Sequence, residues 1–173
     1  IVADIESLLR INGYSAAVAY GRGRAVSDHY RICKPYEVLI HVLYSRVTDR
    51  QSFFSKKPTF KLIDYIENYN PDIVHLHNIH GYYLQVQLLF NYLKKRKRPV
   101  VWTLHDCWPF TGHCAYFDFI KCKKWKTECN ICPQRCEYPK SILLDSSRKN
   151  YIDKKHSFNG LENMILVTPS KWL

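Results

Sequence analysis

The sequence predicts an α/β fold, a parallel sheet with helices on both faces. Three observations lead there. Short apolar runs alternate with segments of helical periodicity in a βαβα order. The two strongest runs, Ile73 to His77 and Val100 to Leu104, are compact enough to be buried strands. The chain has 173 residues, 46% hydrophobic and 24% charged, enough for one domain (1–173) with a sizeable core.

The elements follow in order. Ile1, Val2, Ile5, Leu8 and Leu9 share one helical face, and Gly13 is a natural stop. A chain that opens inside an amphipathic helix without a cap is expected to be truncated, with a strand upstream. Ser15 to Tyr20 reads as a short strand closed by Gly21-Arg22-Gly23-Arg24. Tyr36 to Val47 is apolar at Val38, Leu39, Val42 and Leu43, a helical spacing. Thr59 to Asn68 is a second such helix, with Phe60, Ile63 and Ile66 on one side. Pro71-Asp72 opens the strand Ile73 to His77, Gly81 to Leu93 is helical, and Val100 to Leu104 is the next strand. Residues 107–139 form an irregular Cys-rich loop inserted in the domain. Asp145 to Ser157 is helical, Met164 to Val167 is the last strand, and Pro169 to Trp172 begins a helix.

The formal net charge is +11, which implies an anionic partner: nucleic acid, a membrane surface or phosphorylated substrates. No apolar run approaches the roughly 20 residues that cross a bilayer. Asp4, Glu6 and Arg10 are unlike a signal peptide.

The candidate chemistry sits where two strands end. His75 and His77 alternate onto one side of the first strand, and His80 falls in the following turn. His105 and Asp106 end the second. In an open parallel sheet such carboxyl ends share the edge where ligands bind. His105 or Asp106 there can orient or deprotonate a hydroxyl. The plainer readings are core histidines with satisfied hydrogen bonds, and an Asp106 that caps a turn. Three histidines also suit a metal, but no carboxylate or Cys lies near them in sequence.

The cysteines admit three readings. Cys129-Asn130-Ile131-Cys132 is a C-x2-C half-site of the kind found in structural zinc sites, and Cys114 and Cys122 can supply the other half. Disulfides are the second reading, though nothing in the sequence suggests secretion. Separate reduced thiols are the third. Lys121, Lys123, Lys124 and Lys126 would favour thiolates. Cys107 and Cys136 are spares, and Cys33 packs apart from them. The basic run Lys94, Lys95, Arg96, Lys97, Arg98 suits the end of a helix, and it is also a candidate contact with anionic lipid.

The segment Pro71 to Gly81 (PDIVHLHNIHG) resembles a signature of family 4 glycosyltransferases, as does Thr103 to Cys114 (TLHDCWPFTGHC). The Cys-rich stretch through Cys132-Pro133 and Tyr138-Pro139 is similar to a bacterial subgroup that builds exopolysaccharide, colanic-acid-like and capsular chains. Val167 to Leu173 resembles the segment before the crossover to a second domain. The resemblance implies the Rossmann-like, acceptor-side amino-terminal half of a GT-B enzyme. It implies transfer of a sugar from a nucleotide-sugar donor to a polysaccharide or lipid-linked acceptor, with retention and with no catalytic metal. The donor would be held mostly by a carboxyl-terminal domain beyond Leu173, so this chain alone is expected to be inactive. Carried over by position, His105 contacts the transferred sugar or acceptor and Asp106 orients it. His77 and His80 face the acceptor, and Trp108 and His113 frame its ring. A zinc ion on Cys114, Cys122, Cys129 and Cys132 would be structural. The implied location is cytoplasmic, at the inner face of the bacterial membrane.

Two rivals remain. A zinc-containing nucleic-acid-binding module draws on the charge, the C-x2-C knuckle and the Lys-aromatic stretch Tyr116 to Trp125. Against it, no nucleic-acid recognition motif appears, and no nucleic-acid partner is expected. A metal-dependent hydrolase would be built on the histidines.

Overall fold

The computed structural model describes residues 1–171 and 173. Among the described residues five α-helices and five strands follow in the order α1 (Val2–Ile11), β1 (Ala19–Tyr20), β2 (Tyr30–Arg31), α2 (Pro35–Thr48), α3 (Lys56–Tyr69), β3 (Val74–Leu76), α4 (Val86–Arg96), β4 (Val100–Thr103), α5 (Ser147–Phe158) and β5 (Met164–Val167). All pairings between named strands are parallel; β3, β4 and β5 are joined through α4 and α5 as βαβ units, and β1 and β2 through a loop. This is a Rossmann-like α/β architecture, consistent with one half of a GT-B fold.

The main sheet has the order β3-β4-β5. Leu76 lies opposite Trp102, and Trp102 opposite Leu166, so all three strands end at one edge. β1 and β2 form a separate two-stranded pair. The strand expected from Ser15 thus shrinks to Ala19–Tyr20, and β2 was not expected at all: two residues carry no period to read.

Local chemistry sets the helix ends. Pro35 starts α2 without needing its missing N–H, and Glu37 accepts from the Lys34 N–H at 2.8 Å. Asn70 and Lys97 close α3 and α4 in left-handed conformations (φ 53° and 52°). The Gln85 side chain caps α4 by accepting from the Leu88 N–H at 2.7 Å. The expected start of α4 at Gly81 moves to Val86, because residues 82–85 first run as a loop.

The core gathers Leu89, Phe90 and Leu93 of α4, Val100 and Trp102 of β4, and Phe158 of α5. Phe90, Trp102 and Phe158 meet as an aromatic trio with centroids 4.6–5.3 Å apart. Two helices turn part of the expected apolar face outward, although Val38 of α2 and Ile66 of α3 pack against the core as expected. Leu39 and Leu43 of α2 are exposed, while His41 and Ser45 point inward. Phe60 of α3 is exposed, and Pro58, Thr59 and Leu62 are buried instead. In both cases a polar group completes an internal hydrogen bond: His41 Nδ1 meets Ser55 Oγ at 2.7 Å, and Thr59 Oγ1 accepts from Gln85 N–H at 2.8 Å. The apolar face of α1 buries none of the helix's residues. The helix expected from Pro169 is absent at residues 169–171, and Trp172 lies outside the described residues.

Candidate functional site

β3 and β4 are neighbours, so their tips stand side by side. His75 and His77 share one face of β3, with ring centroids 4.3 Å apart. His77 stacks on His105 across the strand pair at 5.3 Å, and His77 Nδ1 lies 3.0 Å from His105 Nε2. His75 is tied to Thr103 Oγ1 at 2.8 Å. Both His77 and His105 are half-buried and line a shallow hollow with Asn78, His80, Asp106 and Pro109. Burial first, then the fields of His75 and His105, holds the His77 pKa down to about 4. His77 is therefore neutral at pH 7. Its Nδ1 and His105 Nε2 are joined by one hydrogen bond, whose proton either ring can supply.

Behind this pair is a buried layer. His80 Nε2 pairs with Asp106 Oδ2 at 3.0 Å, with both side chains under one-tenth exposed. Asp106 Oδ1 accepts the Trp108 N–H at 2.9 Å. The His80 ring stacks on Trp108 at 5.0 Å. On the far side, Lys154 Nζ sits 4.1 Å from the Trp108 ring and donates to the Trp108 carbonyl at 2.6 Å. Lys154 is 1% exposed, and burial lowers its pKa to about 7 against the opposing pull of Cys129, Cys114, Asp49 and Asp106.

Several expected roles change as a result. Asp106 orients His80, not its neighbour His105. Trp108 is 2% exposed and already sandwiched, so it offers no open face to an acceptor ring. His113 is also 2% exposed. Its Nδ1 pairs with Asp49 Oδ1, away from the hollow. His80 stands one layer back. Only His77 and His105 of the expected residues reach the open edge. Lys154 and Asp49 went unnoticed in the sequence: one is a lysine on a lysine-rich helix, the other the residue just past the end of α2, and neither pattern signals burial.

Residues 107–139 hold no helix or strand beyond one short 3₁₀ turn, Lys124–Lys126. Cys114, Cys122, Cys129 and Cys132 line a single small pocket with Thr111, His113 and Trp125. All seven cysteines are free thiols. Among the described residues, no three His, Cys, Asp or Glu side chains stand at metal-holding geometry. The basic run is largely committed to surface contacts within the chain: Lys94 donates to the His156 carbonyl at 3.0 Å, Arg96 pairs with Glu67, and Arg98 donates to Asn70 Oδ1 at 2.6 Å. Among the described residues, no helix is long and apolar enough to cross a membrane.

The sequence model of glycosyltransferase family 4 matches residues 2–135, from α1 through the histidine tips to the end of the C-x2-C knuckle. The chain belongs to this family. It is also similar to the putative colanic acid biosynthesis glycosyl transferase WcaC of Escherichia coli (strain K12), at 26% identity over 179 residues. That alignment covers 93% of this chain and 42% of the relative, so the chain spans about two fifths of that relative's length. No solved structure matches the chain.

Proposed function

We propose that this family 4 chain is the acceptor-side half of a glycosyltransferase that moves a sugar from a nucleotide-sugar donor to a polysaccharide or lipid-linked acceptor, with retention of configuration. The observation that carries the reading is the His77–His105 pair at the open carboxyl edge of β3 and β4. A partly exposed imidazole pair of which His77 is neutral suits hydroxyl recognition: it both donates and accepts, and it passes a proton along its shared hydrogen bond. The His80–Asp106–Trp108 layer fixes the floor beneath it, so the pair is held ready before substrate arrives. The likeness to a putative colanic acid transferase supports an exopolysaccharide product. A contact with anionic lipid would draw on Lys95 and Lys97, whose side chains are exposed.

The test uses the full-length protein with a panel of UDP- and GDP-sugars and lipid-linked glycan from the source membrane. Transfer with an unchanged anomeric configuration by NMR is the expected result. His105→Ala should lower kcat at least 100-fold with melting unchanged; turnover equal to wild type would overturn the assignment of His105.

A further inference from the structure

The cysteine pocket is separate from the sugar site and is built from its own surroundings. Four thiols line it from three points of the loop: Cys114, Cys122, and the Cys129/Cys132 knuckle. Backbone donors face two of the sulfurs: the Gly112 N–H faces Cys129 and the Gln134 N–H faces Cys132, while the Thr111 hydroxyl donates to the Cys114 carbonyl. Backbone donors placed in this way stabilise negative sulfur. Lys124 Nζ clamps the knuckle by donating to the Asn130 and Ile131 carbonyls at 2.9 and 3.0 Å. Asp145 Oδ2 accepts the Cys132 N–H at 2.7 Å.

A second, independent observation points to a ligand. The His113 side chain is 0% exposed and lines this same pocket, yet its Nε2 has no hydrogen-bond partner. Its Nδ1 is held by Asp49, whose other oxygen accepts the Ser146 N–H at 2.8 Å. A buried ring nitrogen left bare, with a carboxylate fixing the opposite nitrogen, is the arrangement that orients a histidine toward a metal. The free space among these groups holds about one water-sized particle, an ion's room and no more.

We propose that this pocket is a structural zinc site, with Cys114, Cys129 and Cys132 as ligands and either Cys122 or His113 as the fourth. Soft sulfur donors with imidazole select zinc over calcium or magnesium. The sulfurs line the pocket without yet converging, and Cys114 and Cys132 share a hydrogen bond. Zinc replaces that bond with Zn–S bonds of about 2.3 Å; each thiol that binds releases its proton to solvent. The site would staple the loop after β4 to α5 and to the end of α2, on the far side of Lys154 from the histidine tips. This holds whether or not the edge histidines bind sugar.

The experiment is metal analysis of the full-length protein purified without a metal-affinity step. One zinc per chain is expected. Cobalt substitution should give an intense sulfur-to-cobalt charge-transfer band in the near ultraviolet. Chelation should lower melting by roughly 10 °C. Cys129→Ser and Cys132→Ser should each lose the metal, while Cys136→Ser, an exposed cysteine outside the pocket, retains it. The visible cobalt bands of Cys122→Ser and His113→Asn assign the fourth ligand, and either assignment supports the site. A metal-free chain with no cobalt charge-transfer band, equal melting with and without chelator, or a mass two units low from a Cys–Cys bond would overturn the proposal.

Discussion

Asp106→Ala should be among the most damaging single changes near the edge histidines, although it removes only a carboxylate. In the folded chain that carboxylate has two partners in a layer under one-tenth exposed: His80 Nε2 at 3.0 Å and the Trp108 N–H at 2.9 Å. Hydrogen bonds to a charged group contribute about 1.5–3 kcal/mol each, so losing two costs about 3–6 kcal/mol. The middle of that range, about 4 kcal/mol, is equivalent to a fall in melting temperature of about 8–16 °C for a chain of this size. Asp106→Asn separates charge from contact. Its carbonyl still accepts the Trp108 N–H and its amide meets the other tautomer of His80, so its cost should be about 1–2 kcal/mol. Urea denaturation at pH 7.5 followed by tryptophan fluorescence reads both. An alanine variant within 1 kcal/mol of wild type, or an asparagine variant as damaged as the alanine one, would refute the buried layer as described.

Two further outcomes follow from the same geometry. A Cβ on Gly112 would lie 2.3 Å from the Ser147 carbonyl oxygen and 2.6 Å from Cys129 Cβ, so Gly112→Ala should cost about 1–3 kcal/mol and loosen the loop from α5; unchanged melting would contradict that close approach. His41 should make stability fall in acid. Burial lowers its pKa from 6.5 to about 4, and its Nε2 accepts the Ser52 N–H at 3.3 Å, so folding requires the neutral ring. The unfolded chain then binds more protons between pH 4 and 6.5. The stability present above pH 6.5 is lost as pH falls through that window, by about 3 kcal/mol in full, and the lowered pKa of His77 acts in the same direction. His41→Gln should flatten the urea-midpoint profile between pH 7 and 4.5; an unaltered slope would reject the assignment.

The alternation of apolar runs with helical spacing sufficed for the class of fold, for β5 at its observed limits, and for α2, α3 and α5 to within a few residues, because each of these is a local periodicity. It also sufficed to set two histidine-bearing strand ends on one edge, since parallel strands joined by a crossover must finish on the same side. The spacing Cys129-x2-Cys132 marks a half-site, and with it Cys114 and Cys122 as candidate partners. What it left undecided was the depth of each side chain. Whether Trp108, His113 and Asp106 face the cleft or lie beneath it depends on partners far along the chain. Lys154 is 46 residues from the Trp108 carbonyl it binds, and Asp49 is 64 residues from His113. Burial of a polar group is settled by whichever distant group satisfies it, and a pattern of neighbours in sequence carries no record of that partner. For the same reason α2 turns inward its histidine, which meets Ser55 and the Ser52 N–H, and not its leucines. The sequence by itself determined which elements form and where the histidines emerge; only the tertiary structure decided which of them meet solvent, because that depends on contacts made across the whole chain.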